Sequence, residues 1–101
     1  MNDHCIIPQV LRDRTHYLCD KMLEISGHDP GEDTRRRPAV TARVFVTQVL
    51  LLEGWSEHQI GNVLGWDHST INHYRKKFRT FMEAPGYAAE RKLWNKFKTT
   101  I

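Results

Sequence analysis

The chain has 101 residues, with 15 Lys and Arg against 12 Asp and Glu for a net charge of +3. That length fits one domain and buries a core without staples. Cys5 and Cys19 stand far apart with no C-x-x-C between them, which excludes a zinc cluster and leaves two reduced thiols, or one disulfide joining them, as the options.

No apolar run approaches the ~18 residues of a membrane span, and no leader-like segment opens the chain. A soluble, cytoplasmic protein with no membrane contact is expected. The mean charge hides an asymmetry. Residues 1–34 carry three cations and seven acids, a net −4, whereas residues 35–101 carry twelve cations and five acids, a net +7. A polyanionic partner suits the basic part, and a merely solvated surface is the plain alternative.

The first predicted helix covers residues 8–26. Pro8 suits a first turn. Val10, Leu11, Leu18, Met22 and Ile25 recur near helical spacing, and Gly27 is a natural stop. Residues 28–37, HDPGEDTRRR, hold Pro, Gly and three consecutive arginines, and read as a basic loop. Residues 38–53, PAVTARVFVTQVLLLE, are β-branched enough to suggest a strand. They run without a turn signal for longer than an ordinary strand, and Ala42, Phe45, Val46, Val49 and Leu50 share a helical face. A mostly buried helix ending near Gly54 is predicted. Ser56 and Gln59 have the form of a capping box, which starts a short helix reaching about Leu64. Asp67 can cap a longer helix running to about Met82. Pro85-Gly86 breaks the chain, and residues 87–99 form a last helix with Leu93, Trp94 and Phe97 inward. The expected fold class is all-α, a single domain of about five helices with no strand.

A short helix, a turn containing Gly and a longer helix make the helix-turn-helix pattern, whose second helix reads the DNA major groove with its N-terminal residues. The faces of the second helix divide accordingly. At about 100° per residue, Ile71, Tyr74, Phe78 and Phe81 share one arc, while Ser69, Asn72, His73, Lys76 and Arg79 share another. The leading end, Asp67-His68-Ser69-Thr70, is short and hydrogen-bonding, which permits close approach to base edges. The longer cations beyond it can reach phosphates.

The stretch IGNVLGWDHSTINHYRKKF, residues 60–78, resembles the signature of the C-terminal DNA-binding domain of the bacterial replication initiator DnaA. That family shows an Ile-Gly, a Gly-Gly-Arg-Asp-His-Thr-Thr turn, a His three residues on and a basic pair. The likeness runs through residues 56–78 and more loosely over 38–82. It implies base contacts from Asp67, His68 and Ser69. It implies DNA-backbone contacts from Arg35, Arg36 and Arg37 in the basic loop, from Arg43 near the start of the long helix, and from Ser56, Thr70, Asn72, His73, Lys76 and Lys77. Three departures stand out. The turn is one residue shorter, Gly65-Trp66 for Gly-Gly-Arg; Ser69 replaces Thr; and His58 stands where the family often has Pro. The short turn leaves Trp66 free either to pack under it or to stack on a sugar.

Other chemistries lack support in the residues. His68 and His73 lie five apart, off the i, i+4 spacing of a helical metal pair, so no metal is expected. Ser69 and His68 are helix neighbours that diverge by about 100°, which defeats proton transfer between them. No G-x-x-x-x-G-K-[ST] is present, so no nucleotide site is expected. The reading is a non-enzymatic, cofactor-free protein that binds double-stranded DNA and acts by occupancy. It would regulate replication or transcription, or serve a mobile element. The alternative is an interaction module that keeps the helix-turn-helix core but docks a protein partner.

Overall fold

The computed structural model describes residues 7–32 and 34–101. Cys5 lies outside the described residues, and with it the question of its pairing. Five helices follow in chain order: α1 (Gln9–Ser26), α2 (Arg37–Leu52), α3 (Glu57–Leu64), α4 (His68–Glu83) and α5 (Ala88–Thr100). The all-α class stands, and no strand occurs among the described residues.

Helix α1 starts after Pro8 and closes at Gly27, whose amide donates to the Leu23 carbonyl at 2.8 Å. Leu11, Leu18 and Met22 form its buried stripe. Val10 does not join them: it is 64% exposed and lies to the outer side of that stripe. Arg37 belongs to the first turn of α2 rather than to the loop, and Pro38 follows it where a missing amide is harmless.

Helix α2 is buried around its whole circumference. Besides the face read from the sequence, Ala39, Thr41, Arg43, Val44 and Thr47 are all buried. That explains its strand-like composition. β-Branched residues cost a helix a few tenths of a kcal/mol each, and burial of a Val or Leu returns about 1.5–3 kcal/mol. Packing therefore overrides local preference. Phe45 joins three helices: its ring meets Phe78 edge-on at 6.2 Å and Phe81 at 5.9 Å, both on α4, and Trp94 of α5 at 5.3 Å. Helix α1 packs on α2, α3 and α5, and α4 packs on α2, α3 and α5. At the end of α2, Arg14 grips Glu53 through two guanidinium nitrogens, at 2.6 Å and 3.0 Å to one carboxylate oxygen.

Candidate nucleic-acid interface

The junction of α3 and α4 is built from local signals. Ser56 Oγ accepts from the Gln59 amide at 3.1 Å, and Gln59 Oε1 accepts from the Ser56 amide at 3.0 Å, closing the capping box. Helix α3 ends at Gly65, whose φ of 79° is a left-handed conformation that favours glycine. The Trp66 amide then returns to the Gly61 carbonyl at 2.8 Å. Gly61 is buried in this corner: a Cβ there would lie 2.4 Å from the Trp66 carbonyl oxygen. The turn thus presses on α3 at a point where only glycine fits.

Asp67 caps α4, its Oδ1 accepting from the Ser69 amide at 3.2 Å. The same oxygen lies 3.3 Å from His68 Nδ1. The His68 ring stacks on His58 of α3, with centroids 4.2 Å apart and planes 26° from parallel. Asp67, His68 and Ser69 are all exposed, so the leading end of α4 is open to a partner. Farther along, Ile71, Tyr74 and Phe81 are buried and Phe78 partly so, while His73, Lys76 and Arg79 are exposed. Lys76, Lys77 and Arg79 have no carboxylate partner among the described residues.

Four implied contact residues, Ser56, Asn72, Arg43 and Arg37, already have work inside the protein. Ser56 is committed to the α3 cap. Asn72 is half-buried and donates from Nδ2 to Glu57 Oε2 at 2.9 Å, turning it back onto α3. Arg43 is the clear correction. It is 1% exposed, and its guanidinium donates to the carbonyls of Pro30 at 2.9 Å, Thr34 at 2.6 Å and Glu32. A phosphate cannot reach it there. Its role is to hold the segment before α2. The ring of Trp66 lies over this guanidinium, 4.6 Å away, so Trp66 packs beneath the turn. Arg35 and Arg36 are exposed at the entry to α2. Arg37 is tied to α5 through Glu90 at 3.2 Å and lies over the Tyr87 ring at 5.3 Å.

Comparison of the chain with protein-family models, curated proteins and solved structures gives no match. The geometry also shows residues that sequence spacing missed. Glu57 holds both Asn72 and, at 3.5 Å, Arg75. His58 supports His68. Each partnership crosses from α3 to α4, and only the turn geometry sets which residues meet. Among the described residues no cluster of three or more His, Cys, Asp or Glu could hold a metal, and no helix is long and apolar enough to cross a membrane.

Proposed function

We propose that the chain binds double-stranded DNA by inserting the leading end of α4 into the major groove, in the manner of the DnaA C-terminal domain that its sequence resembles. The observation that carries this reading is the division of α4. Its apolar side is sealed against α2, α3 and α5, while its first turn and its unpaired cations face outward. Short polar groups lead, where base edges would be reached. Cations follow, where phosphates would flank the helix. Asp67, His68 and Ser69 are the base-reading candidates, with Thr70, His73, Lys76 and Lys77 on the backbone, Arg35 and Arg36 reaching from the loop, and Arg37 from the first turn of α2. On this reading the protein would act by occupancy, as a regulator of replication or transcription or as a mobile-element accessory factor.

Selection of bound sequences from a random duplex pool tests the reading directly, and an enriched motif of a few base pairs is expected. Binding to that motif should fall as a steep power of salt concentration. Lys76→Ala should weaken binding to all sequences about equally and lower the log–log salt slope by roughly one. Affinity equal to the parent at ~0.15 M salt would mean that α4 does not face the duplex. A protein partner is the second reading, favoured by Val10 at 64% and Leu52 at 70% exposure. A protein interface of that kind predicts weak salt dependence and no enriched motif.

A further inference from the structure

Arg35 and Arg37, at the entry to α2, and Lys77, in the middle of α4, line one surface cavity of about 300 Å³. Like charges drawn from separate segments to one space repel one another unless an anion or solvent lies between them. Arg35 and Lys77 have no carboxylate partner among the described residues. Arg37 has Glu90, which does not line this cavity and holds the guanidinium from the α5 side, over the Tyr87 ring. The floor is apolar, made by Phe81 and Tyr87 among others.

Thr41 adds a polar group to the cavity wall, which it shares with a neighbouring cavity. A hydroxyl and three cations lining one small recess match a tetrahedral oxyanion. The recess is also held in advance. Arg43, shielded from solvent, donates to the Thr34 carbonyl, next to Arg35, at 2.6 Å.

We propose that this cavity seats a single phosphate group, held jointly by Arg35, Arg37 and Lys77 with Thr41 as a further donor. The source of that phosphate rests on the DNA-binding reading, which makes it one phosphodiester of the duplex backbone. The alternative source is a free phosphate compound, and two experiments separate them.

In the first, Arg35→Gln and Lys77→Ala are tested singly and together on the selected duplex. Each should weaken binding about tenfold. The pair should lose well under the product of the two, because both lose the same phosphate. Neutral methylphosphonate links walked along the backbone should find one position that weakens the parent and leaves both variants unaffected. Multiplicative losses, or sensitivity at different positions for the two variants, would overturn the shared seat while leaving DNA binding intact. In the second, melting is followed with inorganic phosphate and with pyrophosphate against chloride at equal ionic strength. A phosphate-specific rise in Tm is expected in the parent and not in Lys77→Ala or Thr41→Val. A rise that persists in both variants, or no rise in the parent, counts against the seat. A variant-sensitive rise in a protein that binds no duplex would keep the seat, assign it to a free phosphate compound, and overturn the DNA reading.

Discussion

Asp67 holds two positions at once, and a pair of substitutions separates them. Its carboxylate caps α4 through the Ser69 amide, yet the residue stays exposed at the leading end. Asp67→Ala should lower stability by about 1 kcal/mol through loss of the cap. Asp67→Asn caps as well but presents a donor beside an acceptor, so stability should be retained. If the carboxylate reads a base, the Asn variant should still change preference at one base pair, by about 1–3 kcal/mol. An unchanged ranking of sequences in Asp67→Asn would leave capping as its whole role. Cys19 is half-buried on α1. Burial first, then Asp29 and Asp20, push its thiol up from 9.0 to about 12. Above pH 9 an unfolded chain would lose this proton while the folded one keeps it, so this residue's contribution to stability declines from pH 9 toward 12. Alkylation of Cys19 in the native protein at pH 8 should accordingly be slow, and denaturant should accelerate it strongly. Arg43 marks the limit of reading residues singly. A lone arginine in an apolar run reads as a surface contact, because its three carbonyl partners come from residues 30–34, and no spacing rule encodes that loop's path.

At the scale of elements, the legible parts were those with local chemistry. Pro8, Gly27, the Ser56–Gln59 box, Asp67 and Pro85-Gly86 each act within one turn, and the helices begin and end within a residue or two of them. Helix α2 was legible by length and face rather than by composition. The depth of its burial was not, since that depends on three other helices closing around it. The α3–α4 junction offers a sharp test. Gly61→Ala would place a methyl 2.4 Å from the Trp66 carbonyl oxygen, a backbone atom that cannot swing aside. A loss of about 1–3 kcal/mol is expected from that overpacking. DNA binding should weaken further than the unfolded fraction explains, because the angle of α4 would change. Gly65→Asn is the milder control, as Asn tolerates the left-handed conformation. Equal effects of the two substitutions would argue that the close approach at Gly61 carries no special weight.

For the whole molecule, helix α1 is part of the body and not a free arm. Leu11, Leu18 and Met22 of α1 are fully buried. Deletion through Gly27 should abolish cooperative melting, because the opposing faces of α2, α3 and α5 would lose their cover. A remainder that still melts cooperatively and binds DNA would contradict this. Along the sequence the charge is divided, −4 over residues 1–34 and +7 over residues 35–101, and Arg14 of the first part pairs with Glu53 of the second. Arg43 carries one more consequence, in the timing of local opening. Its guanidinium clamps residues 30–34 from one side and supports Trp66 from the other, so two segments over thirty residues apart should breathe as one unit. Lysine, with a single point charge, cannot span three carbonyls and underlie an indole. In Arg43→Lys, hydrogen exchange at the Glu32 and Trp66 amides should therefore quicken by a common factor while the Phe97 amide keeps its protection. Unequal acceleration of the first two would mean that the loop and the turn open independently.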